Sequence, residues 1–198
     1  ITEKGELLLK EEKFKFAVQK GEGQTCTCAM TGIQANLSGI LAAFPFLLLA
    51  GGLYQTFLQE RAVLIGNIPV VLMGISLISI PLHEGLHGLG WKLAGKLEKG
   101  EIIFSFRQGM PMCFCQRILP AGQYLIGVIL PFLVLGMGSI LFMIIYPGTL
   151  SVLMAFVNLT LSGADLVIAC MVLRSGAVLA ADCQDSAGFV GWKRRVES

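Results

Sequence analysis

The sequence predicts an all-α membrane protein: about four transmembrane helices, with a small cytoplasmic β-hairpin insert between the second and third. Three observations carry this expectation. Of 198 residues, 55% are hydrophobic and 14% charged, and the mean hydropathy is +0.74, oilier than a water-soluble globule of ordinary composition. Four apolar stretches are each long enough to cross a hydrocarbon core, which takes roughly 20 helical residues. The positive residues, finally, fall almost wholly on one side of those stretches.

Residues 1–36 form a polar, water-facing start in which Lys4, Lys10, Lys13, Lys15 and Lys20 alternate with Glu3, Glu6, Glu11, Glu12 and Glu22. No apolar run in it resembles a signal-peptide core, and the alternation of Leu7, Leu9, Phe14, Phe16 and Val18 hints at strands. The transmembrane domain is expected over residues 37–173, with spans at about Asn36 to Phe57, Ala62 to Trp91, Ile118 to Tyr146 and Thr149 to Leu173. The second contains Pro69 and Pro81, so it is expected to tilt or kink. Tyr146-Pro-Gly-Thr149 reads as the tight turn between the last two spans. Within the polar insert 92–117, Glu101-Ile-Ile-Phe-Ser-Phe-Arg107 is rich in β-formers, which suggests the hairpin. Residues 174–198 are expected to be a polar tail.

With four spans, the N-terminal segment, the insert and the tail share one side and carry five, five and four Lys or Arg, against Arg61 alone opposite. That bias puts both termini and the insert of an integral membrane protein in the cytoplasm. Disulfides are then not expected, because the cysteines lie on or near the reducing side. A formal net charge of +2 gives no broad basic surface, so nucleic acid is excluded as a partner. The lipid bilayer is the expected surrounding, and the oligomeric state is left open.

Ionisable side chains inside spans are costly and by default functional. From Ala62 to Trp91 the one charged residue is Glu84, and from Ile118 to Leu173 it is Asp165. Glu84 stands between the two histidines of the chain, in His83-Glu-Gly-Leu-His87. Histidines at i and i+4 project from one helical face and can hold one Zn2+ through ring nitrogens, leaving the intervening carboxylate beside an open coordination position. The plain alternative is a pair of histidines satisfied by neighbouring helices. A catalytic zinc site takes a third protein ligand. His83 lies nine residues before Lys92 and Asp165 nine before Arg174, so both sit about 13 Å in from the same membrane face, and Asp165 is the expected ligand. Asp182, Asp185, Glu98 and Glu101 are rivals, expected to be solvated.

The faces agree. Ser76, Ser79, His83, His87, Gly90 and Ala94 form one stripe, and Ser151, Asn158, Ser162 and Asp165 another. Small and polar residues suit helix seams and internal cavities in membranes. Asn158 or Ser162 is the candidate donor to a substrate backbone. Cys26-Thr-Cys28 and Cys113-Phe-Cys115 are either free thiols or, together, a four-cysteine metal or redox site.

HExxH in one span, a β-rich insert, a plain span and a span with Asn158 and Asp165 resemble the core of the site-2 protease class of intramembrane zinc peptidases. This chain has Ser162-Gly163 where that class carries Pro, and Leu166 where it carries Gly. The runs His83 to Trp91, Cys113 to Pro120, Ser162 to Ile168 and Asp182 to Phe189 are similar to a bacterial family of small four-span proteins catalogued as zincin peptidases. The resemblance implies zinc and peptide hydrolysis: a metalloendopeptidase with His83, His87 and Asp165 on the metal and Glu84 as catalytic base, cutting a membrane-protein substrate within or near its transmembrane segment. The alternative is a non-enzymatic membrane module that binds or transports a metal with the same residues.

Overall fold

The computed structural model describes residues 23–58, 67–98, 100–107, 110–183 and 186–194. Among them are four helical segments long and apolar enough to cross a membrane. The first is α1 (Gly32–Leu53), extended by a π-helical turn over Tyr54–Leu58. It opens on a capping box: Thr31 Oγ1 accepts from the Gln34 N–H, and Gln34 Oε1 from the Thr31 N–H. The second is α2 (Ile68–Gly95), capped by Asn67, with Pro69 in the first turn, where its missing N–H costs little, and Pro81 inside. It therefore starts later than the Ala62 expected; residues 62–66 lie outside the described ones. The third runs through α3 (Ala121–Pro131), a π-helical stretch (Phe132–Met137) and α4 (Gly138–Ile145). The fourth comprises α5 (Thr149–Leu161) and α6 (Gly163–Ser175), jointed at Ser162.

The expected hairpin is present as β2 (Ile102–Arg107) paired with β3 (Met110–Cys115). The all-α expectation needs correcting, however. A four-stranded antiparallel sheet, ordered β1-β6-β5-β4, joins β1 (Gly23–Met30), β4 (Leu119–Pro120), β5 (Leu179–Asp182) and β6 (Ala187–Arg194). The described part of 174–198 is thus largely strand rather than a loose tail, and strand also precedes α1. The strands expected around Glu6 to Val18 lie outside the described residues. Gly23 opposes Arg194, and Leu119 opposes Ala180. The sheet consequently ties the entrances of α1 and α3 to the exit of α6 at one end of the bundle.

Close approaches set the helix positions. A Cβ built at Gly90 of α2 would lie 2.7 Å from Gly127 Cα on α3, and one at Gly163 would lie 2.0 Å from Gly39 O, so α2 meets α3, and α1 meets α6, nearly backbone to backbone. Where α2, α3, α6 and the sheet converge, Trp91, Leu119, Tyr124, Val128, Val172 and Phe189 form a buried cluster. The outer faces carry exposed Leu37, Leu41, Leu48, Leu77, Leu82 and Leu141, a surface that fits a membrane protein and not a water-soluble one.

Candidate metal centre

One turn of α2 separates His83 from His87, so their rings share a face and meet edge to face at 4.8 Å. Asp165, in the first turn of α6, points between them. Its Oδ2 lies 3.1 Å from His83 Nε2, its Oδ1 lies 3.4 Å from His87 Nε2, and the two Nε2 atoms are 3.2 Å apart. A tetrahedral zinc with bonds of about 2.0–2.1 Å separates its ligands by about 3.3 Å, so the spacing fits one ion. All three residues are buried. Among the described residues this is the one His, Cys, Asp or Glu group arranged to hold a metal.

The neighbours aim the ligands. His87 Nδ1 is 2.9 Å from Gly127 O, and because a carbonyl only accepts, Nδ1 carries the proton and Nε2 is left as the ligand atom. The His87 ring stacks on Trp91, whose Nε1–H donates to Tyr124 O at 3.0 Å. His83 Nδ1, Asn158 Oδ1 and Ser162 Oγ are buried without hydrogen-bond partners among the described residues. Asn158 and Ser162 are enclosed among the helices at 2% and 0% exposure, whereas the cavity wall on this segment is made by Leu161, Ala164, Asp165 and Ile168.

That cavity, about 740 Å³, is lined by His83, Glu84 and His87, by Pro111 to Phe114 of β3, and by Tyr124, Asp165 and Asp182. Glu84 faces it half-buried, with Oε2 accepting from the Cys113 N–H at 2.6 Å. The hairpin strand that lines this cavity is β3, through Pro111 to Phe114. Of the rival ligands, Glu98 is exposed, and Glu101 accepts from the Glu98 N–H and pairs with Arg117 at 3.1 Å. Asp185 lies outside the described residues. Asp182, expected to be solvated, is instead half-buried against the cavity: it accepts from the Cys115 N–H at 2.7 Å and from the Tyr124 hydroxyl. Burial pushes its carboxyl up to about 6, against those two hydrogen bonds, which pull it down. Cys26, Cys28, Cys113 and Cys115 form no disulfide and, among the described residues, do not come together as a metal-holding group; burial pushes the Cys113 and Cys115 thiols up to about 12. Tyr124 and the Cys113 amide are the site groups that sequence reasoning missed, and Asp182 was named there only as a solvated rival ligand. Each reaches the site through tertiary contact alone.

A family model described as "Putative zincin peptidase" matches residues 76–178, a stretch that contains both histidines, Glu84, the hairpin and Asp165. No curated protein and no solved structure matches the chain.

Proposed function

The chain belongs to the family described as "Putative zincin peptidase", and from that premise we propose that it is a zinc-dependent integral-membrane endopeptidase hydrolysing a membrane protein within or near its transmembrane segment. The observation that carries this reading is the convergence of His83, His87 and Asp165 beside Glu84 on one cavity. In this reading His83 and His87 hold zinc through Nε2 and Asp165 through its carboxylate. Zinc, when bound, supplies Lewis acidity toward a scissile carbonyl and lowers the pKa of a water toward neutrality. Glu84 takes the proton of the attacking water and passes it to the leaving amine. The Asp165 carboxylate would offset part of the charge of an ion held by the two neutral imidazoles, and Gly127 O keeps His87 in the ligating tautomer.

A peptide bond inside a helix has its carbonyl engaged, so the substrate lies extended at the site. The cavity walls Ile80, Met112, Val128 and Ile168 are apolar, which suits a segment drawn from a bilayer. In this reading both chain termini and the hairpin face the cytoplasm of a bacterial cell, as the charge bias implies.

Zinc content and hydrolysis of β-casein by purified wild type, Glu84→Gln and His87→Ala test the reading together. Glu84→Gln is expected to keep its zinc and lose cleavage, whereas His87→Ala loses both. Wild type purified without stoichiometric metal overturns the reading. Cleavage undiminished in Glu84→Gln contradicts the assigned base, and a metal-loaded wild type that cuts nothing favours a binding or transport module.

A further inference from the structure

One edge of the hairpin is gripped by two carboxylates. In the β2–β3 register Phe104 opposes Cys113 and Ile102 opposes Cys115, while the Gln116 N–H reaches across to Glu101 O. Alternation then turns the Cys113 and Cys115 N–H groups away from β2. Both find acceptors: Cys113 on Glu84 Oε2 at 2.6 Å and Cys115 on Asp182 Oδ2 at 2.7 Å. The acceptors come from α2 and β5, and the amides they hold are two residues apart, about 6.7 Å along the strand. Outward N–H groups of an enclosed edge strand need partners. Here one partner is the proposed base, and the other lies beyond the stretch matched by the family model, which ends at 178.

We propose that Asp182 is a positioning residue for hydrolysis: by holding the Cys115 N–H it sets β3 at the height where the Cys113 N–H meets Glu84 and aims its carboxylate into the cavity. The inference rests on the peptidase reading above. A glutamate side chain turns about three bonds, so a carboxylate that must face one water gains from an external tether. The tether is anchored in turn. Tyr124 donates to Asp182 Oδ1, Tyr124 stacks on Trp91, and Trp91 stacks on His87. The path Glu84, Cys113, Cys115, Asp182, Tyr124, Trp91, His87 returns to the helix it left, so base and ligand are held in one closed circuit.

The test compares full-length, zinc-loaded wild type with Asp182→Ala and Asp182→Asn. Asn keeps a carbonyl oxygen for the Cys115 N–H, and Ala keeps none. Three quantities are read: amide hydrogen exchange at Cys113 and Cys115, kcat and KM on β-casein, and zinc per chain. In Asp182→Ala both amides are expected to exchange about tenfold faster or more, with kcat falling by up to about a hundredfold and with KM and zinc unchanged. Asp182→Asn is expected to recover most of both losses. Unchanged exchange at Cys113 in Asp182→Ala, zinc lost in step with activity, or an Asn variant no better than Ala overturns the proposal. If wild type binds zinc but leaves casein intact, the peptidase reading alone is contradicted. The exchange comparison then decides the clamp: protection lost in Ala and regained in Asn supports it, and protection unchanged in both overturns it.

Discussion

Asp165 shows what a single side chain does here, because it is the one group contributed by the fourth apolar segment to a pair of imidazoles on the second. Asp165→Ala leaves two buried histidines with two ligands for one ion. Zinc affinity is expected to fall by more than the roughly 10–100-fold that loss of an outer partner costs, measured by competition with a chromogenic chelator. Asp182 has a different signature. Burial holds its folded-state carboxyl at about 6 against an ordinary 3.8, so between those values the fold binds more protons than the unfolded chain. Its stabilisation is fully present below about pH 4 and is lost as the pH rises through about 6. The melting temperature of wild type relative to Asp182→Asn is therefore expected to drop over that window, and a flat difference between pH 4 and pH 7 would contradict the assignment.

Between elements, one of the two closest joints is α2 on α3. The Cβ of a Gly127→Ala variant would sit 2.0 Å from Trp91 Cδ1 and 2.1 Å from its Nε1, and a ring stacked on His87 has little room to yield. The substitution is expected to destabilise by about 1–3 kcal/mol and to weaken zinc binding by displacing the ring behind a ligand. Gly122→Ala, on the same helix but with nothing within 4 Å, is expected to be neutral or slightly stabilising. Thermal melts and zinc titration of the two variants separate a local clash from a general intolerance of side chains. This joint also marks how far the sequence can be read. The histidine pair and its match with Asp165 follow from one helical repeat and a count of residues to the first cation, both local quantities. Trp91 against Gly127 follows from neither, although the small residue is the sort of mark such a seam leaves. The sheet was out of reach for a related reason: its pairings join Gly23 to Arg194 and Leu119 to Ala180, across most of the chain, through short strands that carry no strong alternation. Asp182 looked solvated because nothing within several residues of it announces Tyr124 or Cys115.

On the scale of the whole molecule, the sheet and the charges constrain the same thing. β1 precedes α1 and pairs with β6, which follows α6, while β4 precedes α3 and pairs with β5. Four segments that alternate in direction must then leave the hairpin and the sheet at one end and the Tyr146 turn at the other. Lys92, Lys96, Arg117, Arg174 and Lys193 belong to the sheet end, and positive residues are retained on the cytoplasmic face. In the proposed reading His83, His87 and Asp165, about 13 Å in from that end, are reached by water from the cytoplasm. Two added cysteines, each in a variant whose six native free cysteines are replaced by Ser or Ala, test this orientation. Lys96→Cys, at an exposed position, is expected to react with a membrane-impermeant maleimide in inverted vesicles and to be protected in intact spheroplasts. Tyr146→Cys, at a position 65% exposed, is expected to show the reverse. Labelling of both from the same side would break the four-span arrangement, and a clean exchange of the two results would turn the site toward the outside of the cell.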